Sequence, residues 1–347
     1  MERMSVPVLE ISRGAFRANI AAVRARIAPS ELMLVMKDDA YGHGIEWAAA
    51  EAAATGVTWF GAYDVPTAQR IRSLTDARIF AWAPSNDEEA DAAITAGIDL
   101  GIGSLEYLHA VIAGAARQNS CVRLHLKIDT GLHRNGFRPE AWDEAVAVAR
   151  AAEERGIARI VGVWSHLAEA SDAEDDAARA VFRWAVQRAE DAGARPEVRH
   201  LTASAASWWR PELRESLSRI GAFCYGIRSA DGPALAGTAP ISRLTAAVDA
   251  VDDGRVTLGI GSFHGVPSTL RGARVATPAG LREILEVDGA STAVEAWPGA
   301  HIGQRIIVFG TGADGEADAT ALAERIDTVG EEILTRLTPA VRRVVVD

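Results

Sequence analysis

The sequence predicts an α/β fold, a (β/α)8 TIM-like barrel followed by a smaller, mainly β C-terminal domain. Eight short apolar runs recur between residues 32 and 223, and helical stretches separate most of them. Strands that alternate with helices over about 200 residues are typical of a parallel barrel. From about Pro240 the helical periodicity fades and short apolar runs recur between glycines, which indicates a separate β domain.

The barrel elements follow a strand-like opening segment, Val6–Ile11. The eight predicted strands are Leu32–Met36, Val57–Ala62, Ala77–Ala83, Ile98–Ile102, Val122–Ile128, Ala158–Ser165, Glu197–Leu201 and Ser218–Phe223. The predicted helices are Ile45–Ala54, Val65–Ser73, Asp87–Ala96, Leu105–Ala116, Ala141–Arg155 and Glu174–Ala192. A doubly wound open sheet is the alternative, but no Gly-x-Gly-x-x-Gly follows the first strand, which argues against a dinucleotide fold.

The C-terminal region contains five predicted strands and one short helix within Ala317–Thr328. The strands are Leu244–Val251, Val256–Ile260, Ile284–Val287, Gln304–Phe309 and Ala340–Val346. Glycine and proline residues between Ala230 and Pro240 indicate a linker. We therefore expect residues 8–235 to form the barrel, and residues 1–7 together with 240–347 to form the β-rich domain.

The amino-acid composition limits which kinds of partner and which cellular compartment we expect for this protein. The 347 residues are 48% apolar and carry a net charge of −11, which argues against nucleic acid and anionic membranes as partners. Two cysteines, Cys121 and Cys224, are too few for a disulfide framework and favour a reducing, cytoplasmic compartment. The sequence predicts neither a signal peptide nor a membrane span, and no pattern in it predicts a metal site.

Lys37 lies where the first barrel strand is predicted to end. Burial at the mouth of a parallel strand disfavours the charged form of a lysine and makes its amine more nucleophilic. Such an amine suits Schiff-base chemistry with an aldehyde cofactor. The alternative is a lysine whose stem packs at the strand end while its amine stays in water.

Polar residues also follow other predicted strands. Lys127 and Asp129 close the fifth strand, His166 closes the sixth, Ser204 follows the seventh and Arg219 lies on the eighth. In a parallel barrel these strand ends form one rim, where catalytic side chains gather. An arginine in the loop after the fifth strand, Arg134, can bind a carboxylate through two parallel hydrogen bonds, as recognition of an amino acid requires.

Five motifs resemble those of the alanine racemase family, in the same order and over essentially the whole chain. They are Lys37–Gly44, which reads Lys-Asp-Asp-Ala-Tyr-Gly-His-Gly, followed by Lys127–Gly136, Trp164–Glu169, Ala203–Ala206 and Arg219–Gly226. The resemblance implies pyridoxal 5'-phosphate as cofactor and Lys37 as its Schiff-base lysine and one catalytic base. The other cofactor-binding residues that it implies are Tyr41, His166, Ser204, Arg219 and Gly221.

The resemblance also assigns substrate contacts and a ring partner. Arg134 would contact the substrate carboxylate, and Lys127, which is often carbamylated in the family, would orient it. Arg219 would hydrogen-bond the pyridine nitrogen of the cofactor. Because arginine only donates, that nitrogen stays unprotonated and the ring is a weaker electron sink, which favours racemisation over side reactions. Ser204 has a second interpretation as a helix N-cap, which is compatible with an anion site.

The sequence departs from the family pattern in the C-terminal domain and just after Lys37. The segment Gly261–Pro267 aligns with the family segment that carries a tyrosine as second base, and Ser262 takes the tyrosine's place while His264 replaces an aspartate. A methionine–aspartate pair at the substrate entrance reads Val287–Asp288, and Pro339 lies near a missing phosphate-binding tyrosine. Asp38 and Asp39 replace residues that are small or amide-bearing in the family.

These observations predict a pyridoxal-phosphate-dependent amino-acid racemase, with alanine as the substrate that the family implies. Ser262 or His264 would be the second base, Asp288 would lie at the substrate entrance, and a head-to-tail homodimer would supply the second base in trans. A decarboxylase or an aldolase-type lyase on the same scaffold is the alternative, since one-face chemistry needs no second base. A cofactor-binding protein with little turnover is the third interpretation.

Overall fold

The computed structural model describes residues 6–347, which divide into two compact units. One unit contains residues 6–22, 38–44 and 222–347, and the other contains residues 23–37 and 45–221. Each unit is described separately below. No helix among the described residues is both long and apolar enough to cross a membrane.

The unit of residues 23–37 and 45–221 contains an eight-stranded parallel barrel. After β1 (Val8–Ser12), which belongs to the other unit, its strands are β2 (Glu31–Val35), β3 (Trp59–Ala62), β4 (Arg78–Ala81), β5 (Asp99–Ile102), β6 (Val122–Lys127), β7 (Ala158–Trp164), β8 (Val198–His200) and β9 (Leu217–Ile220). The strand order is β8-β7-β6-β5-β4-β3-β2-β9. The backbone N–H of Arg219 donates to the carbonyl of Thr202 at 3.2 Å, across the seam between β8 and β9. The predicted barrel is confirmed.

Helices connect most of these strands. They span Ile45–Ala54, Val65–Arg72, Asp87–Thr95, Leu105–Arg117, Pro139–Glu154, Asp172–Asp191 and Ser204–Trp209, with a 3₁₀ turn at Pro211–Leu213. Side chains immediately before four of them accept a hydrogen bond from a first-turn backbone N–H, which satisfies an otherwise unpaired donor. These capping residues are Asp64, Asn86, Ser104 and Ser171. Polar caps before apolar periodic stretches explain why the predicted helix bounds are close to the observed ones.

Large side chains fill the barrel interior. Met33, Trp59, Phe80, Trp164 and Leu217, from five different strands, form one buried cluster. Close-packed aromatic rings leave little freedom for the polar side chains that lie among them. The barrel therefore offers a rigid support for groups at its carboxyl rim.

The second unit is organised around an antiparallel sheet that includes β1. Its remaining strands are β10 (Ser242–Asp252), β11 (Arg255–Leu258), β12 (Arg274–Thr277), β13 (Gly280–Val287), β14 (Thr292–Glu295), β15 (Arg305–Phe309) and β16 (Arg342–Val346). The strand order is β11-β14-β13-β12-β15-β10-β1-β16, and β1 pairs antiparallel with β10 and parallel with β16. The unit also contains the helices Ala319–Glu324 and Gly330–Thr335 and the 3₁₀ turns Ala222–Tyr225, Ser262–His264 and Ser268–Leu270. The predicted β-rich C-terminal domain is therefore present.

The domain boundaries differ from the predicted ones. Residues 8–22, 38–44 and 222–235 were assigned to the barrel but lie in the unit of the C-terminal sheet. The pairing of β1 with β10 and β16 accounts for the first of these segments. Residues 1–5 of the predicted β-rich domain lie outside the described residues.

Some elements were not among the predicted ones. The helix Arg13–Ile27 follows β1, and its buried residues Phe16, Ile20, Val23 and Ile27 recur at helical spacing. The strands β12 and β14 are only four residues long, which is too short for a clear alternating pattern.

Candidate active site

The carboxyl rim of the barrel carries most of the predicted site residues. Parallel strands share one direction, so their carboxyl ends meet at one mouth. Residues that end a barrel strand, lie near its end or follow it at this mouth are Lys37, Lys127, Arg134, His166, Ser204, Arg219 and Gly221. The predicted residues Tyr41, Ser262, His264 and Asp288 belong to the other unit.

His166 marks the centre of the basic charge at this rim. Burial, together with the positive charges of Arg219, Arg134, Lys127 and Lys37, lowers the pKa of His166 to about 3. A single imidazole therefore lies within the field of four cationic side chains that come from distant parts of the chain. His166 is neutral at physiological pH.

Arg219 is a buried cation surrounded by uncharged acceptors. Its guanidinium donates to the carbonyls of Ser165 at 2.8 Å, His200 at 2.9 Å and Leu201 at 3.0 Å. It also donates to Nδ1 of His200 at 3.1 Å and to Nδ1 of His166 at 3.2 Å. Burial lowers the pKa of Arg219 to about 9, so the group keeps its positive charge at neutral pH. None of these acceptors neutralises that charge.

Lys127 lies over an aromatic face that it shares with Arg219. Its Nζ is 4.5 Å from the centroid of the Trp164 ring, and Cζ of Arg219 is 5.3 Å from the same centroid. The indole N–H of Trp164 donates to the carbonyl of His125 at 3.1 Å, which fixes the ring. Burial, together with the charges of Arg219 and Arg134, lowers the pKa of Lys127 to about 8. A minor neutral fraction of this amine is therefore available near neutral pH.

Lys127 should make protein stability depend on pH between about 8 and 10.5. Its pKa is about 8 in the folded chain against an unfolded value of 10.5, so the unfolded chain binds more protons in this range. The free energy of unfolding therefore rises with pH, by at most about 1.4 kcal/mol per pH unit from this group. We expect urea unfolding to show this rise relative to Lys127→Met, which lacks the amine. Parallel pH dependences for the two proteins would contradict the lowered pKa.

The loop that presents Arg134 is organised by Asp129. The carboxylate of Asp129 accepts from the backbone N–H groups of Gly131 and His133, each at 3.1 Å, and from Nδ1 of His133 at 3.0 Å. Burial raises the pKa of Asp129, but these hydrogen bonds outweigh it and lower the pKa overall. The loop closes where the N–H of Phe137 donates to the carbonyl of Lys127 at 2.8 Å. Arg134 is exposed at the tip of this tight loop.

Ser204 and Gly221 lie together although 17 residues separate them. The backbone N–H of Gly221 donates to Oγ of Ser204 at 3.3 Å. Ser204 is the first residue of the helix Ser204–Trp209, and the N-cap position is occupied by Ala203, which has no capping side chain. The interpretation of Ser204 as an N-cap was therefore wrong. The hydroxyl instead accepts from this N–H at the rim, and its own O–H proton remains a donor.

A left-handed turn directly follows Lys37. Asp38, Asp39, Ala40 and Tyr41 all have φ between 53° and 56°. The turn is held by hydrogen bonds from the N–H of Gly42 to the carbonyl of Asp38 and from that of Gly44 to the carbonyl of Asp39. Left-handed backbone costs about 1–2 kcal/mol per non-glycine residue, so the fold maintains a strained segment here.

Tyr41 ends this turn and is buried. Its ring centroid is 4.9 Å from that of Tyr225. Burial raises the pKa of Tyr41, and the negative charges of Glu331 and Asp38 raise it further, so the phenol keeps its proton. The charge that Asp39 adds to this segment interacts with the positive charge of Arg343, which also donates to the carbonyl of Gly42 at 3.2 Å.

The segment that departs from the family is a short 3₁₀ turn, Ser262–His264. The N–H of Ser262 donates to the carbonyl of Asp288 at 2.8 Å, so these two predicted residues are neighbours. The N–H of Gly261 donates to Nδ1 of His264 at 3.1 Å, and burial lowers the pKa of His264. The Ser262 side chain is exposed.

Two hydrogen bonds from Thr338 support this 3₁₀ turn. Thr338, the residue before Pro339, donates through its backbone to the carbonyl of His264 at 3.1 Å and through its hydroxyl to that of Phe263 at 3.0 Å. Phe263 is 74% exposed, although apolar rings usually avoid water.

Sequence reasoning missed the polar and aromatic groups below the rim. Trp164 supports two cations, and His200 binds Arg219. Trp164 had been named only as the start of a motif and part of a strand, and His200 only as part of a predicted strand. The available signal was a polar residue inside an apolar strand, as with His125 in β6 and His200 at the end of β8. Such residues in a barrel interior need hydrogen-bond partners.

The fold and the rim define a (β/α)8-barrel protein with a cationic cluster of side chains at its carboxyl rim and a β-rich second unit. The family model described as "Alanine racemase, N-terminal domain" matches residues 11–229. The chain is 35% identical over 366 aligned positions to an alanine racemase of Thermobifida fusca, and the match covers 96% of each chain. The chain belongs to the alanine racemase family.

Solved structures agree with this placement. The alanine racemase from Streptomyces coelicolor A3(2) superposes with a TM-score of 0.93 at 30% identity, over 99% of this chain and 98% of that one. An alanine racemase from Streptomyces lavendulae, a producer of D-cycloserine, gives a TM-score of 0.93 at 30% identity and covers 100% and 98%. The fold therefore matches these structures in both the barrel and the β-rich part.

Proposed function

We propose that this protein is a pyridoxal-phosphate-dependent racemase that interconverts L-alanine and D-alanine. The observation that carries the proposal is the rim cluster, in which the charges of four cationic side chains act on the neutral His166 and Arg219 has only uncharged hydrogen-bond acceptors. Membership of the alanine racemase family supports the reaction and the substrate.

The donor set at the rim fits a phosphate-bearing aldehyde cofactor. Lys37 would hold the aldehyde, Arg219 would donate to the pyridine nitrogen, and the hydroxyl of Ser204 and the N–H of Gly221 would turn to the phosphate. The family resemblance alone assigns Tyr41 to the phosphate. When bound, the cofactor supplies an electron-withdrawing ring that acidifies the Cα proton of an amino acid. The hydrogen bonds of Arg219 support this fit, because its acceptors are all uncharged and the carboxylate of Glu169, which raises its pKa, is not among them.

The chain's own groups then have defined tasks. Lys37 moves the Cα proton on one face; it is half-buried and lies just after the buried end of β2. Arg134, exposed at the tip of its loop, receives the substrate carboxylate. Lys127 lies beside it, and the neutral fraction of its amine suits the carbamylation that occurs in the family.

The second proton carrier is either Ser262 or His264, and the geometry bears on the choice. Because Nδ1 of His264 accepts from the N–H of Gly261, its neutral ring carries the proton on Nε2 and cannot accept another there. Taking up a proton on Nδ1 would break this bond. This supports Ser262, with its exposed hydroxyl, as the group nearest to the role that the family gives to a tyrosine.

Restoring the family's tyrosine should accelerate racemisation. A serine hydroxyl is a weak acid and base without a neighbouring partner, whereas a phenol has a pKa near 10. Because Ser262 is exposed, the turn has room for a ring. We expect Ser262→Tyr to raise kcat by about 10²-fold, the lower range of acid–base catalysis, as measured by chiral chromatography of alanine.

Ser262→Phe is the matched control for that variant, since it adds the same ring without the hydroxyl. It should leave kcat unchanged or lower it. Equal rate increases in the two variants would show that ring packing, and not proton transfer, is responsible.

A single-enantiomer assay tests the function itself. Purified protein is incubated with L-alanine and separately with D-alanine, and products are analysed by chiral chromatography and mass spectrometry. Formation of the opposite enantiomer in both reactions is expected. An amine with carbon dioxide, glycine with an aldehyde, or unchanged substrate would contradict the proposal and indicate a decarboxylase, a lyase or a binding protein.

Because family members of this type use a base from a second copy, we also propose a head-to-tail homodimer. Sedimentation velocity tests whether the protein is a dimer.

A further inference from the structure

A continuous chain of hydrogen bonds runs from Arg219 into the barrel interior. Arg219 donates to Nδ1 of His200 at 3.1 Å, and Nε2 of His200 is 2.8 Å from Nδ1 of His125. Nε2 of His125 is 3.1 Å from Oδ2 of Asp99. These four side chains come from strands β9, β8, β6 and β5, so the chain crosses the barrel from its carboxyl rim toward its amino end.

All four side chains of this hydrogen-bond chain are shielded from water. Asp99, His125 and His200 have no exposed surface, and Arg219 is 5% exposed. Phe80 packs against both imidazoles, with ring centroids 4.6 Å from His125 and 5.1 Å from His200. Because water cannot reach the hydrogen-bonding groups of these side chains, each group must be paired with another group of the protein.

The donor at one end decides the proton position on both imidazoles. Arginine can only donate, so Nδ1 of His200 must accept and its proton must lie on Nε2. That N–H donates to Nδ1 of His125, which places the proton of His125 on Nε2 as well. Burial lowers the pKa of both histidines, so neither ring carries a second proton.

An ionised carboxylate closes the other end. Oδ2 of Asp99 accepts from Nη2 of Arg78 at 2.6 Å, and Oδ1 accepts from Nε of Arg123 at 2.5 Å. Burial raises the pKa of Asp99, but His125 and the two arginines outweigh it and lower the pKa overall. A carboxylate can only accept, so the direction of donation is the same at every link, from Arg219 to Asp99.

We propose that Asp99, His125 and His200 are positioning residues that orient Arg219 through this one-directional chain, and so fix the donor that faces the pyridine nitrogen. The inference rests on the proposed function for its catalytic meaning. If His200 reversed its tautomer, its Nδ1–H would face an N–H of Arg219, and Arg219 would lose one of its five acceptors. If His125 reversed its tautomer, its Nδ1–H would face the Nε2–H of His200. No proton moves along this hydrogen-bond chain. It excludes the other tautomers of the two imidazoles and so holds the Arg219 guanidinium in one orientation.

The tautomers can be read directly from the full-length protein. In ¹⁵N-histidine-labelled protein, long-range ¹H–¹⁵N spectra distinguish a protonated ring nitrogen from an accepting one. His200 and His125 should both carry the proton on Nε2, with the assignment made by loss of the signal in His125→Asn and His125→Gln. A proton on Nδ1 of His200, or an imidazolium at either position, would overturn the proposal.

A pair of variants at His125 separates the two links. Asparagine places an acceptor near the position of Nδ1 and preserves the contact to His200, whereas glutamine places its amide near Nε2 and preserves the contact to Asp99. The readout is the ¹⁵N shift of ring-labelled pyridoxal phosphate bound to the protein, together with its Kd. His125→Gln should shift the ring nitrogen toward its protonated form and raise Kd by about 10-fold, the equivalent of one hydrogen bond. His125→Asn should retain both values more closely.

Phe80→Leu is the matched control, because it alters packing against the same two imidazoles and leaves every link in place. It should lower stability without moving the ring ¹⁵N shift. Equal shifts in Phe80→Leu, His125→Asn and His125→Gln would overturn the positioning role and indicate a structural one. If the wild-type protein bound no pyridoxal phosphate, the proposed function would fail, while the histidine spectra would still decide whether the chain has the stated direction.

Discussion

Lys37→Ala is expected to lower kcat for alanine racemisation by at least about 10⁴-fold, because it removes both the covalent anchor of the cofactor and the base on one face. Lys37 and Lys127 are the only two lysines among the 347 residues. Borohydride should therefore fix the cofactor to a single lysine-containing peptide and abolish the visible absorbance. Loss of this labelling in Lys37→Ala, measured by peptide mass spectrometry, checks the assignment independently of activity.

The second lysine provides the control for this experiment. Lys127→Ala keeps the amine of Lys37 and should still be labelled, although its rate should fall because the support for Arg134 is altered. If labelling persisted in Lys37→Ala and vanished in Lys127→Ala, Lys127 and not Lys37 would be the lysine that holds the cofactor. A protein with neither colour nor label would contradict the cofactor proposal as a whole.

Arg219→Met is expected to lower the free energy of unfolding by at least about 3 kcal/mol, because it leaves several buried acceptors without a donor. Three carbonyl groups and two imidazole nitrogens accept from this guanidinium. Methionine has a comparable length and fills the volume, so the loss reflects hydrogen bonds more than a cavity. Urea unfolding of the cofactor-free protein measures the change without a contribution from ligand binding.

A surface arginine gives the comparison for that variant. Arg117 is 54% exposed and pairs with Asp91 at 3.1 Å, so Arg117→Met should change stability by about 1 kcal/mol or less. Similar losses for Arg219→Met and Arg117→Met would mean that the buried acceptors find other partners. In that case Arg219 would be less tightly held than its contacts indicate.

The barrel could be predicted because each of its elements carries a local signal. Buried parallel strands are short apolar runs, and capping residues such as Asp64 and Ser171 lie just before the helices. The rim followed from the same logic, since Lys127, His166 and Arg219 lie at or near strand ends and parallel strands share one mouth.

Other features depend on partners that are distant in sequence. The five residues of β1 look like any short strand, and only their pairing with β10 and β16 places them in the C-terminal sheet. The left-handed backbone at Asp38 to Tyr41 opposes local preference, so no propensity could predict it. By contrast, the helix Arg13–Ile27 had a detectable signal in the helical spacing of its apolar residues.

Within the site, residues that act through others were the hardest to find. His125 and His200 alternate with apolar neighbours and touch no predicted ligand, so their role appears only from the contacts that connect them to Arg219. Resemblance to the family pointed to the groups that would meet cofactor or substrate, because those carry recognisable motifs. It did not point to the groups that hold them.

The position of β1 has a consequence for synthesis. Of the strands in residues 6–347, β1 emerges first from the ribosome, yet both of its neighbours in the sheet, β10 and β16, are translated only after the entire barrel. A nascent apolar strand with two open edges can pair with other chains, and pairing over such a distance in sequence is slow. We therefore expect the sheet to be the last part of the newborn polypeptide to mature, and the stage at which molecular chaperones matter most.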